Sequence, residues 1–144
     1  MEWVDPLFID TWGWLQVLSS RESRHEEVVR YFDSFLRQGG QAYTTDYVLD
    51  ETLTLLFGRL SFQRAYSQYE VIAEAREESF LEVEWIGRDR FEAAVQLRQK
   101  YDDKPSISFT DLTSMVVMDE VGLRDVLTGD DHFRHVGMGF QPRP

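Results

Sequence analysis

Short apolar runs alternate with longer stretches of helical periodicity along the chain. The runs that predict strands lie at 7–9, 41–44, 80–86 and 125–128. Between them, apolar residues recur every three or four positions, which predicts helices at 11–18, 24–38, 47–60, 61–78, 88–101 and 110–121. The tail, 140–144, is predicted to be irregular. This alternation of strands and helices is typical of an α/β protein with a mainly parallel sheet.

The chain has 144 residues, without an internal repeat or a linker, which predicts a single domain spanning residues 1–144. It has no cysteine, so disulfides, thiolate catalysis and cysteine-ligated zinc are excluded. The apolar start lacks a basic leader and is interrupted by Asp5 and Asp10, so we expect neither a signal peptide nor a membrane span. A cytoplasmic protein is the resulting expectation.

The net charge of −11 comes from 26 acidic and 15 basic side chains. Taken alone, it argues against nucleic-acid binding, which usually leaves a basic footprint on the protein. Either the chain has no polyanionic partner, or some of its carboxylates bind cations at a site. So acidic a protein also suits a basic partner.

Two aspartates follow predicted strands directly. Asp10 comes after the strand 7–9, and Asp130 comes after the strand 125–128 and Gly129. The carboxyl ends of strands are where open α/β sheets bind ligands, so we expect these two side chains at a functional site. The alternative for each is that it only caps the turn that follows.

Two further acids lie on predicted helices. Asp111 lies at the amino end of the helix 110–121, where capping explains it as well as chemistry does. Glu51 and its neighbour Asp50 flank opposite borders of the apolar stripe of the helix 47–60. Helix geometry cannot choose between these two.

Four segments together resemble the motifs of PIN-domain nucleases, in the order and spacing of that family. They are FIDTWGW (8–14), YVLDETLTLL (47–56), SISFTDLTSM (106–115) and VLTGDDHF (126–133). The resemblance selects Asp10, Glu51, Asp111 and Asp130 as the site acids. Trp12 departs from the family pattern, which often has a small serine there, and this puts the surroundings of Asp10 in question. The adjacent Asp131 leaves the register of the last motif open.

The resemblance implies a PIN-like, Rossmann-like three-layer sandwich and a metal-dependent endoribonuclease that leaves a 5′-phosphate and a 3′-hydroxyl. The four acids would bind Mg²⁺ or Mn²⁺, with Glu51 binding the ion or orienting the attacking water. Thr11 and Thr128 would hydrogen-bond the carboxylates or ordered waters around the ion. Converging carboxylates need such an ion or a proton to offset their repulsion, because two charges about 4 Å apart repel by roughly 4 kcal/mol at an effective dielectric near 20.

Similarity to VapC-type toxins further implies an RNA substrate, a homodimer and a small basic antitoxin. The basic residues that would contact RNA stay undecided among Arg21, Arg24, Arg59, Arg64 and Lys104. The alternative is a PIN-like module that binds RNA or a protein partner without cutting.

The histidines and tryptophans carry no further motif. His25, His132 and His135 lack a metal-ligand spacing, so we predict them at the surface. For the four tryptophans, we expect packing in the core or in a dimer interface rather than base stacking.

Overall fold

The computed structural model describes residues 3–144, which form five strands and seven helices. The strands are β1 (Leu7–Ile9), β2 (Ala42–Thr45), β3 (Leu81–Glu84), β4 (Asp125–Leu127) and β5 (Gln141–Arg143). The helices are α1 (Thr11–Leu18), α2 (His25–Arg37), α3 (Asp46–Arg59), α4 (Phe62–Glu77), α5 (Gly87–Lys100), α6 (Phe109–Val121) and α7 (His132–His135). All strands are parallel in the order β3-β2-β1-β4-β5, and helices flank the sheet.

The strand order reverses beside the central strand β1. The chain leaves β1 to add β2 and then β3 on one side, and returns to add β4 and then β5 on the other. In open parallel sheets such a reversal leaves a crevice at the carboxyl ends of the two strands that flank it. Here those strands are β1 and β4, and each is followed within three residues by an aspartate.

The core fixes the carboxyl end of β1 in place. Leu7, Phe8 and Ile9 are almost fully buried, as expected for a central strand covered on both faces. Trp14 of α1 donates from its indole nitrogen to the Thr44 hydroxyl at 3.1 Å, and that hydroxyl donates to the Ile9 carbonyl at 3.0 Å. These buried bonds tie α1 and β2 to the last residue of β1, directly before Asp10.

The predicted elements agree with the observed ones to within one or two residues, with one strand overextended. The strand predicted at 80–86 ends at Glu84, because the chain turns away there and the Ile86 amide donates to the Asp46 carboxylate at 2.9 Å. No helix within residues 3–144 is long and apolar enough to cross a membrane. That residues 1–144 form one domain stays a prediction.

The prediction of an irregular tail was wrong, because the tail forms β5 at the edge of the sheet. Gln141 donates from its amide to the Arg124 carbonyl at 2.8 Å, and Arg143 accepts from the Thr128 amide at 3.3 Å. Phe140, just before the strand, is buried edge-to-face against Phe133. The short helix α7, which carries Phe133, was also not predicted.

A close contact between α1 and β4 sets the position of the residues after β1. A Cβ added to Gly13 would lie 2.5 Å from the Leu127 carbonyl oxygen, whereas one added to Gly58 in α3 would meet nothing within 4 Å. We expect Gly13→Ala to lower the free energy of unfolding by about 1–3 kcal/mol, because backbone must move. Gly58→Ala, the matched control, should raise it by about 0.5–1 kcal/mol. Urea unfolding of both variants checks this, and equal stabilities would contradict the contact.

Candidate metal centre

A cleft of about 740 Å³ opens at the carboxyl ends of β1 and β4, where the strand order reverses. Five carboxylates line it, and within residues 3–144 no lysine or arginine does. The acids are Asp10, Glu51, Asp111, Asp130 and Asp131. All four acids selected from the sequence therefore face one cleft, which carries a concentrated negative charge.

Asp10 is the most deeply buried of these acids, with 5% of its surface exposed. It is the N-cap of α1, and its Oδ1 accepts from the Gly13 amide at 2.8 Å. Burial raises the pKa of Asp10 from 3.8 to about 7, against the opposing effect of hydrogen bonds from Thr128 and Gly13. The charges of Asp111 and Asp130 raise this pKa further. Asp10 thus caps a helix and also belongs to the acidic cluster.

Thr128 connects two of the acids. Its hydroxyl accepts from the Asp130 amide at 3.1 Å and lowers the pKa of Asp10. The side chain is buried, so the bond to Asp130 is shielded from solvent. Thr128 therefore links the segment after β4 to the surroundings of Asp10.

Asp111 lies in the first turn of α6, but Ser108 caps that helix. The Ser108 hydroxyl accepts from the Asp111 amide at 3.0 Å, which leaves the Asp111 carboxylate free to face the cleft. Burial is the main cause that raises the pKa of Asp111, and the nearby charges of Asp130 and Glu51 add to it. A hydrogen bond from His132 acts in the opposite direction.

His132 lies between Asp111 and Asp130, where sequence reasoning did not place it. Its Nδ1 is 2.9 Å from Oδ2 of Asp130 and 3.4 Å from Oδ2 of Asp111. The prediction that His132 is a surface residue was wrong, because only 23% of its side chain is exposed. The spacing Asp-X-His over 130–132 was the available signal, since a tight turn can bring such a pair together.

The other two histidines lie apart from this pair of acids. His135 lines the cleft and is exposed, as predicted. His25 is half-buried, with its Nδ1 2.6 Å from the Gln16 carbonyl oxygen, so it too departs from the predicted surface position.

The structure places Glu51 and Asp50, between which helix geometry could not choose, in different grooves. Glu51 lines the cleft with Asp10, and its charge acts on Asp111. Asp50 lies in a different groove, between α3 and α4. Asp131 lines the cleft as an exposed side chain, but it lies outside the close group that Asp130 forms with Asp111 and His132.

Trp12 fits beside the site without displacing Asp10. Its indole packs on Gly129, where an added Cβ would lie only 2.4 Å from the ring. The Arg24 guanidinium lies over the indole at 5.4 Å from the ring centroid. Gly129, in the loop after β4, thus makes room for the large residue at position 12, and the Gly13 amide still donates to Asp10.

The remaining tryptophans divide between the core and the surface. Trp14 is buried, as expected, whereas Trp3 and Trp85 are 81% and 60% exposed. Of the basic candidates for RNA contact, three form ion pairs: Arg24 with Glu27, Arg59 with Glu22 and Lys104 with Asp103.

The donor groups in the cleft fit a divalent cation. Within residues 3–144, Asp111, Asp130 and His132 each offer one ligand atom, and these atoms all lie within 4.8 Å of one another. Thr11 adds a second observation: its hydroxyl oxygen is buried, lines the same cleft and has no hydrogen-bond partner in the described chain. Thr11 therefore does not hydrogen-bond a carboxylate. Its hydroxyl could hydrogen-bond a ligand or an ion-bound water.

Comparison with known proteins gives the family and the fold. The model of the PIN-domain family matches residues 7–138. Among solved structures, the chain is similar to VapC20 of Mycobacterium tuberculosis, a toxin that cleaves the sarcin–ricin loop. The identity is 27% and the TM-score 0.77, with 91% of this chain and 95% of VapC20 covered. No curated protein is a significant match to the sequence.

Two VapBC complexes share the fold at lower identity. The DNA-bound VapBC of Salmonella typhimurium is 16% identical, with a TM-score of 0.68 and coverage of 97% of this chain and 98% of that one. VapBC2 of Rickettsia felis, bound to a promoter DNA fragment, is 12% identical, with a TM-score of 0.73 and coverage of 95% and 96%. The predicted parallel α/β fold is confirmed by these similarities together with the sheet topology.

Proposed function

Because the chain belongs to the PIN-domain family, we propose that it is a metal-dependent endoribonuclease, the toxin of a VapBC-like toxin–antitoxin pair. One observation carries the proposal. Asp10, Glu51, Asp111 and Asp130, which are far apart along the sequence, line one cleft at the carboxyl edge of the sheet. That cleft holds no lysine or arginine of the described chain, so a polyanionic substrate needs a cation there to approach.

The acids have distinct parts in this proposal. Asp10, Asp111 and Asp130 would hold Mg²⁺ or Mn²⁺, which are hard cations that prefer oxygen ligands. A bound ion of this kind lowers the pKa of its water and neutralises charge on the phosphate. Glu51, exposed on the α3 side of the cleft, would complete the ion's surroundings or orient the attacking water. Thr128 would keep Asp130 in position through its hydrogen bond to the Asp130 amide.

RNA is the proposed substrate, with products that carry a 5′-phosphate and a 3′-hydroxyl. The similarity to VapC20, a toxin that cleaves the sarcin–ricin loop, supports this choice over DNA. For the partner, we propose a small basic antitoxin, since the fold is shared with VapBC complexes and the net charge of −11 suits a basic chain. A homodimer and a cytoplasmic location complete the proposal.

The alternative, a PIN-like module that binds without cutting, is less well supported. A module that only binds RNA has no use for a cluster of acids that repels phosphate. In this chain, all four acids of the family motifs are present and face the cleft.

The test uses purified protein, RNA and a pair of adjacent acids on α3. We expect cleavage in Mg²⁺ or Mn²⁺, no cleavage in excess chelator, and 5′-phosphorylated products. Glu51→Gln should lower the cleavage rate by about 10- to 100-fold, because the glutamine cannot supply a charge or accept a proton. Asp50→Asn is the matched control, since that side chain lies in another groove, and its rate should equal that of the wild type.

Two outcomes would contradict the proposal. Cleavage that persists in chelator would rule out the metal-dependent mechanism. Equal losses of cleavage rate in Glu51→Gln and Asp50→Asn would mean that the rate depends on the total charge of α3 and not on the Glu51 side chain in the cleft. Product ends are read by ligation or by 5′-specific exonuclease digestion.

A further inference from the structure

We propose that His132 is a direct ligand of the bound ion, and that Nδ1 with one oxygen each from Asp111 and Asp130 forms a mixed nitrogen–oxygen site. This site would favour Mn²⁺, Co²⁺ and Ni²⁺ over Mg²⁺. The inference rests on the proposed function in one respect only, namely that the cleft binds a divalent ion. It assigns a residue that lies outside the four acids.

The separations of the three donor atoms support this assignment. Neighbouring ligands of an octahedral ion with bonds of about 2.1 Å lie about 3 Å apart. His132 Nδ1 lies 2.9 Å from Asp130 Oδ2 and 3.4 Å from Asp111 Oδ2, close to that spacing. The two aspartate oxygens lie within 4.8 Å of each other, so the three atoms could share one ion after movement of the side chains.

The backbone holds His132 and Asp130 together. The His132 amide donates to Asp130 Oδ1 at 2.9 Å, so one oxygen of that carboxylate is fixed by the turn and the other faces the imidazole. Asp111 approaches from the first turn of α6, a different element of the fold. The site is thus assembled from a hydrogen-bonded turn and a helix start, which favours a defined geometry over a chance surface contact.

Thr11 supplies independent evidence that a ligand belongs in this cleft. Its hydroxyl oxygen is buried and has no partner in the described chain, although Thr11 lines the same cleft. Buried polar atoms in native proteins are nearly always hydrogen-bonded. An ion with its water molecules would give this hydroxyl a partner, whereas an ion pair between His132 and the two aspartates would leave it without one.

The nitrogen donor determines which ions the site prefers. Mg²⁺ binds oxygen ligands and demands near-ideal geometry, whereas imidazole suits later first-row metals. The affinity of a given site generally rises from Mn²⁺ through Co²⁺ to Ni²⁺, and imidazole ligation makes that rise steeper. We therefore expect affinities in the order Mg²⁺ < Mn²⁺ < Co²⁺ < Ni²⁺.

The first measurement is pulsed electron paramagnetic resonance of the full chain loaded with Mn²⁺, without RNA. We expect modulation from a directly bound ¹⁴N nucleus in the wild type and its loss in His132→Asn. His135→Asn is the matched control, because His135 lines the same cleft but lies outside the donor group, and its spectrum should keep the coupling. Absence of nitrogen coupling in the wild type would overturn the proposal whether or not any variant folds.

The second measurement is the affinity of wild type and both variants for the four ions by calorimetry. In His132→Asn an amide oxygen can take the place of Nδ1, so we expect Mg²⁺ affinity to change by less than about threefold. Affinity for Mn²⁺ should fall about 10-fold and affinity for Ni²⁺ about 100-fold. Equal losses for all four ions, or the same losses in His135→Asn, would overturn the proposal.

Failure of this inference and failure of the proposed function give different results. If His132→Asn leaves all four affinities at their wild-type values while the wild type still cleaves RNA only with a divalent ion, the ligand assignment fails and the nuclease stands. If the wild type binds none of the four ions, both fail.

Discussion

Asp10→Asn is expected to lower the rate of metal-dependent RNA cleavage by about a thousandfold or more. The substitution keeps the shape of the side chain and an oxygen that can accept from the Gly13 amide. It removes the negative charge from the most buried acid of the cleft. Charge stabilisation by a bound ion contributes several kcal/mol to the transition state, and about 4 kcal/mol corresponds to roughly a thousandfold in rate.

Single-turnover cleavage at saturating Mn²⁺ measures this effect apart from substrate binding. Asp33→Asn, an exposed acid on α2, is the control and should cleave at the wild-type rate. A rate for Asp10→Asn within tenfold of the wild type would remove Asp10 from the proposed mechanism. Calorimetry with Mn²⁺ on the same samples then shows whether the lost activity reflects lost ion binding.

The central part of the fold was predictable because each of its elements carries its own signal. The run 7–9 is fully apolar, as a strand buried on both faces requires, and the helix 11–18 begins directly after an aspartate that can cap it. The edge strand β5 carries no comparable signal. Gln141, Pro142 and Arg143 have low strand propensity, and they pair because the anchored Phe140 brings them beside the open edge of β4.

The candidate site was predictable to the extent that topology determines it. Asp10 and Asp130 follow strands, and the carboxyl ends of neighbouring parallel strands meet at one edge. The choice of Glu51 over Asp50 required the family resemblance, since both flank the apolar stripe of one helix. His132 was missed, because its approach to Asp111 depends on how the turn after β4 packs against the start of α6, across 21 residues of sequence.

Trp12 is a second case in which the sequence did not show a contact between residues that are distant along the chain. Its sequence position suggested a disturbed site, yet the contact that accommodates it is with Gly129, on a segment distant in sequence. A bulky residue beside Asp10 and a glycine before Asp130 form a complementary pair only in three dimensions. The contact between Trp12 and Gly129 can be recognised only from the three-dimensional positions of both residues.

Asp10→Asn, which should lower the cleavage rate, is expected to raise the stability of the metal-free protein. Burial raises the pKa of Asp10 from 3.8 to about 7, so the folded state retains a proton that the unfolded chain has lost. Between about pH 4 and pH 7 the folded state binds more protons, and the contribution of Asp10 to stability therefore falls as the pH rises. A difference of about three pKa units corresponds to a loss of roughly 4 kcal/mol above pH 7. Asparagine does not ionise, so the variant should escape this loss.

Thermal unfolding in excess chelator at several pH values measures this directly. The melting temperatures of wild type and Asp10→Asn should lie close together near pH 4 and separate as the pH rises, with the variant higher. At pH 8 the gap should reach about 10 °C, since a domain of this size gains roughly 3 °C per kcal/mol. Saturating Mn²⁺ should reduce or reverse the gap, because an ion that binds only the native state stabilises the wild type more. A gap independent of pH would show that Asp10 ionises normally in the folded protein, and that its burial does not raise its pKa.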